Sequence, residues 1–556
     1  MNQKSAMKTF STMSIGLLSL LFSVTSMQAA EPAATETGLP QLRKQGTAIQ
    51  LIVDGQPFVM LAGELHNSSA SGVEYLKTLW PKLTELGLNT VLAPVSWELI
   101  EPREGEFDFT LVDALLEQAR THQHRLVLLW FGSWKNGVSS YAPRWVLQDT
   151  KRFPRALGSA GRNTKDILTP LSEANRKADA TAFAMLMRHL KQADAREHTV
   201  VMIQVENEVG IMPEPRDLSA EGDAAFALPV PQELMQYLAK NEKQLHPELL
   251  RRWTAAGTKP SGTWAEVFGD GPEGAEVFST WHYARYIDSV AEAGKAEYPL
   301  PMFANAWLDG GGKIGTYPTG GPVAHVHDLW RAAAPHIDVL APDIYGEFKQ
   351  VVENFTRNGN PLLIPEIGGG PEAAARVFWA IGRHNALGFS PFGIESLETN
   401  HPVVASYRIL GQLMPAITAA QGTGRMIAVY KQDGDPKLQP QAIGAYRAHV
   451  SYVEHLPERH PPVGGLIIQT GDEEFLMAGY GFGVCFEATT PGPKSTQISN
   501  VELGHFDAAG RWVHELRLNG DESGANYQPR IPPFLANKFL GIDRPMILKV
   551  TVYRHD

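Results

Sequence analysis

Seven carboxylates closely follow short apolar segments of the chain: Glu64, Glu98, Glu206, Glu208, Asp343, Glu366 and Glu395. Burying a carboxylate beside apolar residues is costly unless the charge is paired or used. Two carboxyl groups that face each other, one protonated and one ionised, are what hydrolysis of a glycosidic bond requires. This set therefore favours acid–base chemistry on a sugar linkage, with acidic surface loops as the alternative interpretation.

The densest of these groups ends the segment at residues 199–210. Residues 199–205 are mostly β-branched or apolar, which is typical of a strand buried on both faces in a parallel sheet. Glu206, Asn207 and Glu208 follow directly. Because side chains alternate along a strand, Glu206 and Glu208 are predicted to share a direction that Asn207 opposes, if the strand continues that far. The residues alone leave open which glutamate faces the cleft.

Strands and helices alternate along the part of the chain that must position these residues. A hairpin with an Asp54-Gly55 turn is predicted for residues 49–62, and further strands at residues 90–95, 125–131, 199–205, 301–306, 337–341, 362–364 and 388–394. Apolar spacing predicts helices at residues 73–86, 111–122, 181–193, 277–293 and 372–384. Pro81 is expected to kink the first helix or to start a new one.

This alternation predicts an α/β fold. Eight strand-like segments, each followed by polar or aromatic residues, are the pattern of a TIM (β/α)8 barrel with insertions, and a doubly wound sheet is the alternative. Residues 211–275 are too many for an ordinary loop of such a fold, and we expect them to shape one side of a cleft.

The pattern changes after Gln421. Short alternating segments at residues 426–430, 465–469, 475–478, 497–503 and 546–553 predict an all-β, sandwich-like domain. We therefore divide the chain into a catalytic barrel at residues 49–421 and a C-terminal β-domain at residues 422–556. Residues 31–48 are polar and are expected to be a loose N-terminal segment.

The first 30 residues have the pattern of a secretory signal peptide. Lys4 and Lys8 precede an apolar stretch at residues 13–24, and small residues follow it. No cysteine follows to carry a lipid anchor. The pattern predicts a periplasmic or secreted protein without a membrane span after cleavage, with an uncleaved N-terminal anchor as the alternative.

Composition excludes several classes of function. A formal net charge of -11 and a pI near 5.9 argue against a general nucleic-acid binder. The single cysteine, Cys485, allows neither an intramolecular disulfide nor a thiolate metal site. His325, His327 and Asp328 have metal-ligand spacing but lie in or after a Gly/Pro loop, so we expect no metal site there. Hydrolysis of a glycosidic bond by two carboxyl groups requires no cofactor.

Two motifs resemble glycoside hydrolase family 35, the β-galactosidases of a large clan of retaining (β/α)8 enzymes. Residues 204–210, QVENEVG, closely resemble the QxENEYG signature of that family. Residues 86–91 (LGLNTV), then Trp97-Glu98, Glu101-Pro102 and residues 105–109 (GEFDF), resemble its second strand unit. The resemblance covers the barrel, roughly residues 45–415.

The resemblance implies roles for individual residues. Glu208 matches the general acid/base, Asn207 the ligand of the sugar 2-hydroxyl, and Glu366 the nucleophile at the end of the seventh strand. Tyr345 resembles the tyrosine that steadies this nucleophile. A loop carboxylate that caps a helix is the alternative interpretation of Glu366. The expected function is that of a retaining exo-β-galactosidase, with a carbohydrate as its substrate.

The sequence departs from the family at three strand ends. Residues 63–67 are GELHN where the family has GSIHY, residues 130–134 are WFGSW in place of RPGPY, and PEIGGG replaces an SEFY-type sequence after the seventh strand. These changes resemble a bacterial subgroup that acts on galactosylated side chains of plant polysaccharides such as xyloglucan. A same-clan enzyme for a β-glucoside, mannoside or arabinoside is one alternative, and a non-catalytic carbohydrate-binding barrel is another.

The remaining candidates are predicted to contact the substrate. Glu64 and Glu98 are interpreted as ligands of sugar hydroxyls, with salt bridges as the alternative. Glu395 is either a sugar ligand or an ion-pair partner, and His66 either holds a hydroxyl or satisfies a backbone carbonyl. Trp97, Trp134 and Trp307 are predicted to stack on sugar rings, with core packing as the alternative.

Overall fold

A computed structural model of the chain describes residues 38–159, 163–432, 435–452, 463–518, 529–531 and 546–556. The predicted signal peptide lies outside these described residues, as does the segment from residue 31 to residue 37. From Leu39 onward the described residues belong to one compact unit. Among all the described residues, no helix is both long and apolar enough to cross a membrane.

The described chain begins with three antiparallel strands, β1 (Gln41–Gln45), β2 (Ala48–Val53) and β3 (Gln56–Phe58). Positive φ angles of 51° at Asp54 and 76° at Gly55 form the predicted tight turn between β2 and β3. The prediction of a loose segment up to residue 48 is wrong for β1. Its backbone pairs with β2 along its whole length, and its polar side chains suit an edge strand.

Eight parallel strands form a closed barrel, which confirms the predicted fold class. The first half of the barrel and a small antiparallel hairpin, β7–β8, comprise β4 (Met60–Glu64), β5 (Thr90–Ser96), β6 (Arg125–Lys135), β7 (Arg155–Leu157), β8 (Asn163–Leu168) and β9 (Val200–Asn207). The second half comprises β10 (Met302–Trp307), β11 (Val339–Ile344), β12 (Leu363–Ile367) and β13 (Gly388–Pro391). Around the barrel the order is β10-β11-β12-β13-β4-β5-β6-β9.

Apolar side chains fill the barrel interior. Met60, Leu129, Val201 and Phe303 belong to one buried cluster that barrel strands share. Leu51 of β2 joins the same cluster, so the N-terminal sheet packs against the barrel interior. Strands that are buried on both faces explain why these segments are nearly continuous apolar runs in the sequence.

Fourteen α-helices surround the barrel or lie in its connections: α1 (Val73–Glu85), α2 (Trp97–Ile100), α3 (Thr110–Thr121), α4 (Arg144–Gln148), α5 (Glu173–Asp194), α6 (Ala220–Phe226), α7 (Gln232–Asn241), α8 (Pro247–Ala255), α9 (Trp264–Phe268), α10 (Pro272–Glu297), α11 (His327–Ala333), α12 (Lys349–Phe355), α13 (Ala373–His384) and α14 (Pro402–Ala420), counted over the described residues. The long connection at residues 211–275 contains four of them, α6 to α9.

Helix α1 continues through Pro81, so the predicted alternative of a new helix that starts there is wrong. A proline in a helix removes the hydrogen bond to the carbonyl four residues earlier. Here that carbonyl belongs to Lys77, and both Lys77 and Pro81 are exposed, so water can satisfy the freed group.

The C-terminal part is all-β. One sheet has the order β14-β17-β18-β23-β20-β21 and the other β15-β16-β19-β22. The strands are β14 (Met426–Lys431), β15 (Gln441–Ile443), β16 (Tyr446–Tyr452), β17 (Val463–Gln469), β18 (Glu474–Tyr480), β19 (Phe482–Ala488), β20 (Ser495–Phe506), β21 (Trp512–Arg517), β22 (Arg530–Ile531) and β23 (Met546–His555). Helix α13 packs on β14 and β17, which joins this region to the barrel.

Candidate active site

The polar residues at the strand ends converge on the C-terminal end of the barrel. Glu64 and Lys135 are the last residues of β4 and β6, and Asn207 and Trp307 are the last residues of β9 and β10. Other members of the group are Glu208, Asp343, Tyr345, Glu366 and Glu395, which lie near the ends of β9, β11, β12 and β13. In TIM barrels this end is where functional residues collect.

The backbone at the end of β9 separates the two glutamates of the Glu206-Asn207-Glu208 motif. Glu206 and Glu208 have positive φ angles of 62° and 46°, which interrupt the regular alternation of a strand. The prediction that both side chains share a direction is therefore wrong. Glu206 points toward the end of β6, whereas Glu208 faces Glu366 and Asp343.

Glu206 belongs to a buried polar network behind the barrel mouth. Its two carboxylate oxygens accept hydrogen bonds from the backbone N–H groups of Ser133, at 2.9 Å, and Trp134, at 2.7 Å. Asp179 lies beside it and accepts from the Ser133 hydroxyl at 2.6 Å and from the Trp130 indole at 2.9 Å. Burial, and then the neighbouring Asp179, raise the pKa of Glu206 well above its ordinary value.

This network holds a bulge in β6. Trp130 lies opposite Val205 of β9, but the next pair is Lys135 opposite Asn207, so β6 has extra residues between the two pairs. A side chain at Gly132 would clash with the carboxylate of Glu206, which explains the glycine. The bulge brings Lys135 beside the carboxylates at the barrel mouth.

Lys135 is a functional candidate that the sequence reasoning missed. Its side chain is buried, and Nζ donates to Asn207 Oδ1 at 3.0 Å while lying 5.0 Å from the centre of the Phe131 ring. Burial raises the pKa of both Glu64 and Glu208, and the positive charge of Lys135 offsets part of that increase. The only signal in the sequence is a lysine four residues after the predicted third barrel strand, and the bulge that brings it to the carboxylates leaves no pattern of its own.

Glu208 has the environment of a protonated acid. Burial is the largest cause, and the charge of Glu366 the next, of an increase in the pKa of Glu208 from 4.5 to about 7, against which Lys135 and a hydrogen bond to Asp343 act. The backbone N–H of Glu208 donates to Asn305 Oδ1 at 3.0 Å, and Asn305 Nδ2 donates to Asp343 Oδ2 at 2.7 Å. Asn305 thus fixes both acidic residues from β10.

The two side-chain oxygens of Glu366 have different surroundings. The hydroxyl of Tyr345 donates to Glu366 Oε1. Within the described part of the chain, Oε2 is buried and has no hydrogen-bond partner. The same holds for one oxygen of Glu64 and for Nδ2 of Asn207. Buried polar atoms of this kind are costly unless another molecule satisfies them, so these atoms are suited to bind a polar ligand.

Glu64 and Glu395 lie on the other side of Glu366. Glu64 is buried, and burial followed by the charge of Glu366 raises its pKa well above the ordinary value. Glu395 accepts from the His66 backbone N–H at 3.0 Å and from the Ser69 hydroxyl at 2.6 Å. The exposed His66 ring lies 2.8 Å from the Ser396 hydroxyl, so His66 positions Glu395 through its backbone.

The structure contradicts the prediction that Trp97 and Trp134 stack on a sugar. Both side chains are fully buried. The indole of Trp97 donates to Glu101 at 2.8 Å, and that of Trp134 donates to the Leu168 carbonyl at 3.0 Å. Their N–H groups are satisfied inside the protein, and no ring face is open to a ligand.

Glu98, Trp307 and the histidine motif take separate positions. Glu98 is exposed at the start of α2, where its backbone N–H donates to the carbonyl of Tyr141 at 3.0 Å. Trp307 is 40 % exposed beside the carboxylates. His325 pairs with Glu276, at 3.0 Å, and Asp309, at 3.5 Å, whereas His327 Nε2 lies 3.0 Å from the carbonyl of Pro322. The two imidazoles therefore serve separate contacts.

The closed barrel of eight parallel strands, surrounded by helices, places the protein in the class of TIM-barrel proteins. Its acidic residues lie at the C-terminal end of the barrel, where the functional sites of this class are found. Within that class, residues 50–130 match the model described as glycosyl hydrolases family 35, which confirms the resemblance predicted from the sequence over that segment. Residues 403–530 match a domain of unknown function, DUF5597.

Similar proteins were found at both the sequence and the structure level. A β-galactosidase of Xanthomonas manihotis is 29% identical over 206 residues, which are 35% of this chain and 30% of that protein. This chain thus matches less than a third of that relative's length. Solved structures with a TM-score of 0.43 include a β-galactosidase of Bacillus circulans sp. alkalophilus, with 15% identity over 64% of this chain and 56% of that one. Another is the catalytic domain of a β-amylase of Paenibacillus polymyxa, with 12% identity over 63% and 98%.

Proposed function

We propose that this protein is a retaining exo-β-galactosidase that releases terminal β-galactosyl residues from oligosaccharides or polysaccharides. The observation that carries the proposal is the pair formed by Glu208 and Glu366. The two side chains reach one buried cluster from the ends of β9 and β12, and their environments differ as the two carboxyl groups of a glycosidase must differ. The galactosyl specificity is inferred from the family match and the Xanthomonas β-galactosidase.

The reaction proceeds by two displacements in this proposal. Glu366 Oε2 attacks the anomeric carbon, the bond to the leaving oxygen breaks, and Glu208 donates its proton to that oxygen. The resulting glycosyl–enzyme ester is then attacked by water, whose proton returns to Glu208 as the bond to Glu366 breaks. A pKa of about 7 keeps a substantial fraction of Glu208 protonated at neutral pH and most of it protonated at mildly acidic pH, which suits the first step.

Buried polar atoms around this pair supply contacts for the galactosyl hydroxyls. Asn207 Nδ2 can donate to an oxygen, and its position next to Glu208 supports the role of a 2-hydroxyl ligand. The carboxylates of Glu64 and Glu395 each have one buried oxygen without a partner among the described residues, and these can accept from hydroxyl groups. Such hydrogen bonds discriminate between sugars, because a missing hydroxyl leaves a buried group unpaired.

Turnover of aryl glycosides tests the proposal. Rates are measured on 4-nitrophenyl β-galactoside, β-glucoside, β-mannoside and α-arabinoside, followed by galactosylated xyloglucan oligosaccharides, galactan and lactose. We expect the β-galactoside to have the highest kcat/KM, and galactose release from the xyloglucan fragments. A preference for another glycoside would assign the site to another sugar, and no turnover of any would leave a carbohydrate-binding barrel.

Substitutions then test the residue roles. Glu208→Gln and Glu366→Gln should each lower kcat on the preferred aryl glycoside by at least about 100-fold. Glu74→Gln, an exposed glutamate of α1, is the matched control and should retain wild-type turnover. Near-normal activity of either active-site variant would reject its assigned role.

A further inference from the structure

A polar cavity lies between the long connection after β9 and the elements from α11 to the start of β12. It has a volume of about 170 Å³, and its lining includes Tyr237, His246, Asp328, Arg331, Asn354 and Arg357. None of the acidic residues at the barrel mouth lines it. The volume equals that of about six water molecules at roughly 30 Å³ each, and sites for drug-sized ligands need roughly 300–1,000 Å³. The cavity therefore suits a small polar ligand and is too small for a sugar chain.

Two arginines of this cavity have no carboxylate to pair with. Arg331 of α11 donates to Asn360 Oδ1, and Arg357 Nη2 donates to the carbonyl of Leu245 at 3.5 Å, so both partners are neutral. Among the described residues, no carboxylate lies within salt-bridge distance of either guanidinium group. Burial of a charged group is costly unless an opposite charge compensates for it.

The single carboxylate in the lining does not neutralise both arginines. Asp328 lines the cavity, but its Oδ2 is held by the backbone N–H of His246 at 2.7 Å. Two imidazoles of the lining sense the remaining positive charge. Burial, and then the charge of Arg357, lower the pKa of His246 from 6.5 to about 4, and burial, followed by Arg331, lowers the pKa of His327 to about 3. The lining thus carries one more positive charge than negative charges.

Neutral donors complete the lining. His246 Nδ1 accepts from the backbone N–H of Glu248 at 3.2 Å, so the proton of the neutral ring is on Nε2, which is left to donate to a ligand. Asn354 Oδ1 accepts from the Gln350 amide at 3.1 Å, which leaves the Asn354 amide group to donate. Guanidinium groups bind carboxylates and phosphates through pairs of N–H donors. The combination of two arginines and two neutral donors therefore matches the oxygens of an anion.

We propose that this cavity binds a small oxyanion, a phosphate or a carboxylate group, through Arg331 and Arg357. A bound anion joins the long connection, through His246, to α11 and to the residues before β12, so its binding stabilises the folded protein. The site is independent of the proposed glycosidase reaction, because neither Glu208 nor Glu366 lines it.

Thermal unfolding of the full chain in different anions tests for this site. Sodium phosphate, sodium acetate and sodium chloride are compared at pH 7 and at one ionic strength. We expect phosphate or acetate to raise the Tm above its value in chloride by about 1–3 °C, with saturation as the anion concentration increases. Phosphate also stabilises folded proteins because it is excluded from their surface, but that effect does not saturate and is retained in variants of the site.

Variants of the two arginines locate the binding. Arg357 is half-buried and has one long hydrogen bond, so Arg357→Gln is expected to fold, and Arg331→Gln tests the second guanidinium group. Each should weaken anion binding at least about tenfold in a calorimetric titration. Arg383→Gln, an exposed arginine of α13, is the matched control and should bind like the wild type.

The titrations also identify the anionic group. Tighter binding of phosphate assigns a phosphate and tighter binding of acetate a carboxylate, and either result supports the site if Arg357→Gln weakens it. No saturable binding of either anion to the wild type, or equal affinities in the wild type and Arg357→Gln, would overturn the proposal.

Discussion

The ammonium group of Lys135 donates a hydrogen bond to Asn207 Oδ1 at 3.0 Å. This contact fixes the orientation of the Asn207 amide, because with Oδ1 occupied by a donor the Nδ2 group is left to face a ligand oxygen. It also places a buried cation in a cluster of acidic side chains whose charges raise one another's pKa: Glu64, Glu208, Asp343 and Glu366. The bulge of β6 that is held by Glu206 is what makes the contact possible.

Lys135→Met should change the pH dependence of turnover. The charge of Lys135 opposes the increase in the pKa of Glu208, so its removal raises that pKa further. The acid then stays protonated to higher pH, and the alkaline limb of the kcat/KM profile moves to higher pH. Loss of the Asn207 contact should also reduce kcat/KM by about 10–100-fold. The groups that face Glu208 are Glu366, Asp343 and Lys135.

Two variants control the Lys135 experiment. Lys135→Arg keeps the charge and should leave the alkaline limb near its wild-type position. Lys295→Met removes a lysine that pairs with Asp338, directly before β11 at the opposite end of the barrel, and should not move the limb. A profile for Lys135→Met that superimposes on the wild type would contradict an electrostatic role of Lys135.

Tyr345→Phe should lower kcat with a smaller effect on KM. The hydroxyl of Tyr345 donates to the oxygen of Glu366 opposite the one that attacks, and a hydrogen bond to a charged group contributes about 1.5–3 kcal/mol. We expect kcat to fall about 10–100-fold on an aryl β-galactoside. A lower thermal midpoint of unfolding together with an unchanged kcat would instead indicate a purely structural tyrosine.

Glu208→Gln should stabilise the protein at alkaline pH. The pKa of Glu208 is raised from 4.5 to about 7 on folding, so its contribution to stability is fully present below pH 4.5 and is lost as the pH rises through about 7. Glutamine resembles the protonated side chain at every pH. The expected gain in Tm is about 1–3 °C at pH 8 and close to zero at pH 5, measured by scanning calorimetry. A constant difference at both pH values would contradict the raised pKa.

Glu206→Gln should act on stability in the opposite direction. Both carboxylate oxygens accept backbone N–H groups of the β6 bulge, and a glutamine can accept at only one oxygen while its amide group faces the second N–H. Leaving that group unsatisfied costs about 1–3 kcal/mol, so the urea midpoint should fall at pH 7. Glu208→Gln in the same titration provides the comparison, and equal midpoints for the two variants would contradict the separate roles of the motif's glutamates.

Much of the fold could be predicted from the sequence, because buried parallel strands leave long apolar runs between helical segments. All eight barrel strands overlap the predicted segments, including β9, which directly precedes the proposed acid, and β12, which contains the proposed nucleophile. Strand β1 was missed because its polar residues form an edge strand through backbone hydrogen bonds, which leave no apolar pattern.

The site was less predictable because it depends on backbone irregularities. The positive φ angles of Glu206 and Glu208 break the alternation of side chains along β9. As a result, Glu206 lies in the buried network and Glu208 faces the barrel mouth, which the alternation rule does not predict. Lys135 reaches the carboxylates through a bulge with no simple sequence signal. Trp97 is buried against Trp145 of α4, and Trp134 against Tyr283 and Tyr286 of α10. Trp307, in contrast, opens into a cavity.

The most direct test of the central claim is to trap the proposed covalent intermediate. An activated 2-deoxy-2-fluoro-β-galactoside forms the glycosyl–enzyme ester faster than water can cleave it, and peptide mapping by mass spectrometry then locates the ester. We predict one fluorogalactosyl group per chain, attached to Glu366, and no stable adduct in Glu366→Gln. An adduct on Glu64, Glu208 or Glu395, or inactivation without any adduct, would contradict the assignment of Glu366 as the nucleophile.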